Sequence, residues 1–82
     1  MAQIRSHARR LRLEYAAKLA RTVSIREVAE EIGVDRRVVM RIENNDLRGN
    51  DFEVLAQLGE FYTRAGLDAR SIVEFVPDEG EA

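Results

Sequence analysis

Residues 24–45, SIREVAEEIGVDRRVVMRIENN, hold two apolar periods at helical spacing broken by a single glycine, and this pattern restricts the chain more than any other feature. Ser24 is a good N-cap residue and Glu27, three positions on, completes a capping box, which predicts a helix over Ile25 to Ile32. Gly33 is free to adopt positive φ, Val34 plugs the turn, and Asp35 caps a further helix from Arg36 to about Asn44. Val28, Ala29 and Ile32 line one face of the first helix. Val34, Val38 or Val39, and Ile42 line the facing side of the second, and the small Ala29 lets the two axes cross closely at a steep angle.

The rest of the chain reads as helix too. Apolar residues recur at spacings of three and four, and no β-branched run alternates between turn residues, so the expected class is all-α. A first helix is expected over 3–20, with either Leu11, Tyr15 and Leu19 or Leu13, Ala16, Ala17 and Ala20 as its apolar stripe. After the turn formers NNDLRGND, Asn50 or Asp51 caps a fourth helix whose inner face is Phe52, Leu55, Leu58, Phe61 and Tyr62, and Gly66 ends it. Asp68 caps a fifth over 69–75, burying Ile72, Val73 and Phe75 before Pro77 stops it. Eighty-two residues suffice for one core, so 1–76 is read as a single domain and 77–82 as a frayed acidic tail.

Composition narrows the partners. The net charge of −2 conceals an asymmetry: residues 1–50 carry eleven Lys or Arg against seven acids, and residues 51–82 carry two against eight, giving +4 and −6. One end of such a molecule can face phosphate while the other keeps it in solution. The absence of cysteine excludes disulfides and thiolate-ligated metal. No apolar run approaches the about 20 residues of a membrane span, and MAQIRSHARR lacks the apolar stretch of a signal peptide, so a cytoplasmic protein without membrane contact is expected. His7 is a lone histidine without companion ligands, the five glycines stand apart rather than in a phosphate-cradling loop, and Glu27, Glu30 and Glu31 fall on the wet side of their helix. No enzyme, cofactor or small-molecule ligand is expected.

With Val39 and Ile42 turned inward, Arg36, Arg37, Met40 and Arg41 point outward from the helix that follows Gly33. The spacing is that of a helix-turn-helix over 24–44, which offers the first turns of its second helix to base edges in a major groove. Arginine suits this role because its planar fork donates twice to guanine O6 and N7 while staying charged beside the phosphates. The alternative is a solvated helix face with ion pairs to Glu30, Glu31 or Asp35. Likewise Arg5, Arg9, Arg10 and Arg12 form either an arm on the DNA backbone or the exposed side of the first helix.

On these residues the chain resembles the phage-repressor regulators of the Cro and cI type, an XRE-like family. The match rests on the cap, the apolar-Ala pair, the Gly-apolar turn, the second cap and the closing IE, and it extends through FEVLAQLGEFY and DARSIVEFVPDE over about 11–76. The resemblance implies a five-helix lambda-repressor-like domain that binds a double-stranded DNA operator as a homodimer, without a cofactor. It puts Arg36, Arg37 and Arg41 at base-reading positions, with Met40 and Val38 at their edge, and pairs Glu43 with a basic residue of the first helix, for which Lys18 is aligned. The glutamine usual at the start of the second helix, which bonds a phosphate, is here Ile25. Phosphate contact is therefore expected from Ser24, Arg26, Arg48, Asn50 in RGN, Arg9 and Arg10. Dimer contact is expected from Tyr62, Ile72, Phe75 and Val76.

Overall fold

The computed structural model describes residues 3–76. Along the chain run β1 (Gln3–Ser6), α1 (Ala8–Leu19), α2 (Ile25–Ile32), α3 (Arg36–Glu43), a 3-10 turn at Gly49–Asp51, α4 (Phe52–Arg64) and β2 (Val73–Val76). The protein is thus a small, mostly helical domain. Among the described residues no helix is long and apolar enough to cross a membrane.

Helices α2 and α3 begin where their caps lie. Ser24 Oγ accepts from the Glu27 N–H at 3.0 Å, and Asp35 Oδ1 accepts from the Arg37 N–H at 2.8 Å, so each cap satisfies an amide that the first turn cannot. The return half of the capping box is missing, because the Glu27 carboxylate is held instead by the Arg21 guanidinium at 2.6 and 2.9 Å. At the end of α2, Gly33 takes φ 75° and the Val34 N–H closes back on the Ala29 carbonyl at 3.0 Å, which turns the chain directly into α3.

The core gathers one stripe from every helix: Ala8 and Leu11 from α1, Val28 and Ala29 from α2, Val39 and Ile42 from α3, and Leu55, Leu58 and Tyr62 from α4. In α1 the stripe through Leu11 and Tyr15 faces inward, and Leu13, on the other candidate stripe, is exposed. Tyr15, Phe61 and Tyr62 meet edge to face with centroids 5.2 to 6.1 Å apart, the arrangement that ring quadrupoles favour. Phe52, expected on the inner face of α4, is 64% exposed instead.

Two expected helical stretches fold otherwise. Residues 3–6 and 73–76 are extended and pair antiparallel, Gln3 with Val76 and Ser6 with Val73. Helix α1 cannot reach back to residue 3 because Ser6 Oγ takes the Ala8 N–H at 3.2 Å and the His7 N–H goes to the Ile72 carbonyl at 2.7 Å. The fifth helix stops at one turn. Asp68 does accept the Arg70 N–H at 3.2 Å as a cap would, and the Ile72 N–H reaches the Ala69 carbonyl at 3.2 Å. The carbonyl of Ile72 is then committed to His7, and the chain continues as strand. Where an all-α, five-helix domain is expected, the described residues form four α-helices and a two-stranded sheet.

Candidate nucleic-acid interface

Helix α3 lies with one face sealed and the other open. Val39 and Ile42 have no exposed surface, and Met40 keeps 45% of its own. Arg36 and Arg37 on the first turn are exposed, and Arg36 has no ion-pair partner among the described residues. Arg37 folds back on Asp35, its Nε and Nη2 donating at 3.2 and 2.8 Å, in a pair whose members are 78% and 47% exposed. The Arg37 guanidinium, its backbone amide and the charge of Arg36 together hold the Asp35 carboxyl at about 2. A pair this exposed is worth little and opens readily to a better acceptor.

Neighbouring elements extend the surface. Ser24, Ile25 and Arg26 at the start of α2 line one cleft with Arg36, Arg37 and Met40 of α3. Arg26 is paired with Glu30 at 3.2 Å across one turn, with both side chains largely in solvent. Three of the expected base readers and two of the expected phosphate contacts thus meet in one place. The other expected phosphate contacts do not line that cleft. Arg48 and Asn50 are exposed in the connection after α3, where Arg48 stands 3.5 Å from Asp46. Arg9 and Arg10 are exposed on the first turn of α1, and the Arg10 charge acts on Asp68.

Arg41, expected among the base readers, does a different job. Its Nη1 and Nη2 donate to the two carboxylate oxygens of Asp51 at 2.8 and 3.1 Å, and the Asp51 side chain is only 3% exposed. The hydrogen bonds to Arg41, opposed by burial and aided by the Arg48 amide, hold the Asp51 carboxyl below its usual range, and the Arg41 guanidinium is raised in turn. Because Asp51 Oδ2 also accepts the Arg48 N–H at 3.0 Å, one carboxylate fastens the end of α3 to the loop that follows it. No local pattern reveals this pairing, since the partners belong to different elements.

A second clamp holds α3 to α1. Arg12, rather than the expected Lys18, is the partner of Glu43, donating through Nε and Nη2 at 2.8 and 3.0 Å and through Nη1 to the Val23 carbonyl at 2.8 Å. The bond to Glu43 raises the Arg12 guanidinium against the opposing effect of burial. Arg12 is therefore a structural residue and not part of a basic arm. Lys18 instead donates to the Ala65 carbonyl at the end of α4. Asn45, left-handed at φ 65°, accepts the Ser6 N–H at 2.7 Å and ties β1 to the turn after α3.

Two expected dimer residues are corrected. Tyr62 is fully buried and Ile72 is 8% exposed, so both belong to the core. Burial, and next the nearby Glu43 charge, push the Tyr62 hydroxyl well above its usual range. Val76 is half-buried and Phe75 is 69% exposed. Phe75 sits opposite Ile4 in the sheet, and Val73 two residues away shares that face, so three open apolar side chains lie together. Phe52 lines a groove with Val73 beside them. Comparison with family models, curated proteins and solved structures found no match to this chain.

Proposed function

We propose that this protein is a sequence-specific DNA-binding regulator of the helix-turn-helix type, similar to the Cro and cI repressors, which lays α3 in the major groove as a homodimer. The observation that carries the reading is the split character of α3, sealed on Val39 and Ile42 and open on Arg36, Arg37 and Met40, with Arg26 and Ser24 alongside. Arg36 and Arg37 are the proposed base readers, and Arg41 now serves to fix the helix on which they stand. Ser24, Arg26, Arg48 and Asn50 are the proposed phosphate contacts. The Arg12–Glu43 and Arg41–Asp51 clamps support the reading, because base readout needs a helix held at a fixed angle.

One such helix reads few base pairs, and two-fold pairing over half-sites about 34 Å apart supplies the missing affinity. Phe75, Ile4 and Val73 on the open sheet face, with Phe52, are the proposed dimer contact. The deciding experiment is selection of bound duplexes from a random pool, with a two-fold symmetric consensus expected and binding that weakens steeply as salt rises. A second reading, a protein-interaction module on the same scaffold, is favoured by Ile25 at the start of α2 and by the same open apolar residues. Absence of any enriched duplex, together with partner binding indifferent to salt, selects that reading.

A further inference from the structure

We propose that the cleft between α2 and α3 reads the C5-methyl group of a pyrimidine, a thymine in ordinary DNA, placed beside a guanine. The inference rests on α3 entering the major groove and adds what it recognises there. Ile25 and Met40 are the apolar members of the cleft, and Arg26, Arg36 and Arg37 stand around them. Met40 is 45% exposed on a helix whose Val39 and Ile42 have no open surface, so its thioether adds little to the core. It lies three and four residues after Arg37 and Arg36, which puts one soft apolar side chain and two guanidinium groups on a single helical face.

Ile25 makes the same corner apolar from the other side. It occupies the first position of α2, next to the Ser24 cap, where its side chain has no group with which to bond a phosphate. In the major groove thymine alone among the four ordinary bases presents a methyl group, and cytosine presents an amino donor at the equivalent edge. An apolar cleft flanked by cations takes the methyl favourably. Against cytosine it leaves the amino group without an acceptor and faces it with further donors. Arg36, without an ion-pair partner among the described residues, has its fork available for the O6 and N7 of an adjoining guanine.

The test uses the full chain and the duplex recovered by random-pool selection. Each thymine is replaced in turn by deoxyuridine, which removes the methyl and keeps the base pair. One substitution per half-site, next to a guanine, is expected to weaken binding about fourfold, the worth of one buried methyl. Met40→Ala, whose folding is checked by circular dichroism, is expected to discriminate less between the thymine and uracil duplexes than the wild type, with Ile25 keeping part of the contact. Cytosine at that position is expected to bind poorly and 5-methylcytosine to recover part of the loss. A consensus lacking thymine beside guanine, wild-type indifference to every uracil, no recovery with 5-methylcytosine, or undiminished discrimination by Met40→Ala each overturns the proposal. The uracil series needs no variant, so misfolding of Met40→Ala does not protect the idea. Failure to enrich any duplex overturns the DNA reading itself, a separate result.

Discussion

Breaking the Arg12–Glu43 clamp tests how the fold holds α3, because its two ends are buried unequally. The Glu43 side chain is 3% exposed and that of Arg12 is 15% exposed. Removing one member of a buried pair costs about 3–5 kcal/mol, most of it the desolvation of the charge left behind. In Arg12→Met the stranded charge is Glu43, which has no other hydrogen-bond donor among the described residues, so a loss of about 4 kcal/mol is expected. In Glu43→Leu the stranded guanidinium keeps the Val23 carbonyl and some water, so about 2 kcal/mol is expected. The double variant leaves no charge behind and only the Val23 carbonyl without its donor, so it should lie about 1–2 kcal/mol below the wild type and well above Arg12→Met. A domain of this length has a stability of about 4–12 kcal/mol, so Arg12→Met can be largely unfolded when warm. Urea titrations of the four proteins near 10 °C therefore read the cycle. Equal losses in the two single variants, or a double variant as unstable as Arg12→Met, would refute the reasoning from unequal burial.

Three other outcomes follow from the geometry. The Tyr62 hydroxyl is buried and has no hydrogen-bond partner among the described residues, so Tyr62→Phe should stabilise the protein by about 1 kcal/mol in the same assay. Ala20 closes α1 at φ 56°, a left-handed conformation that costs a residue with a Cβ about 1 kcal/mol or more, so Ala20→Gly should raise the melting temperature. Asp35 and Asp68 are held at about 2 against the usual 3.8 by Arg37 and Arg70. Their contribution to stability is therefore complete above pH 3.8 and disappears as the pH falls towards 2, and the urea midpoint of an Asp35→Ala, Asp68→Ala double variant should change less over that interval than that of the wild type.

Sequence and structure agree most closely where the determinants are local. Ser24, Gly33 and Asp35 each act on amides or carbonyls within one turn, and α2 and the start of α3 lie where these residues imply. The strands were not legible, because a four-residue segment gains its pairing from a partner at the other end of the chain. Asp68 shows why a cap alone misleads: its hydrogen bond to Arg70 is present, yet the turn ends where the Ile72 carbonyl meets His7. At the candidate interface, an outward direction on the helical wheel placed Arg36, Arg37 and Met40, but it could not show that Arg41 bends to Asp51 or that Arg12 outcompetes Lys18 for Glu43. The same limit applies to Tyr62, where aromatic spacing on α4 fitted core and surface equally until α1 covered the ring.

The pairing of Gln3 with Val76 sets the start of one strand opposite the finish of the other, as across a hairpin. A two-residue Asn-Gly link could join these positions, with fresh termini opened in another loop. The permuted chain would keep the pairing of the two described strands while converting it from a distant one into a local one, at a much smaller loop-closure entropy. If strand docking belongs to the folding transition state, refolding accelerates. An unchanged refolding rate would mean that the helices assemble first and the sheet is added afterwards.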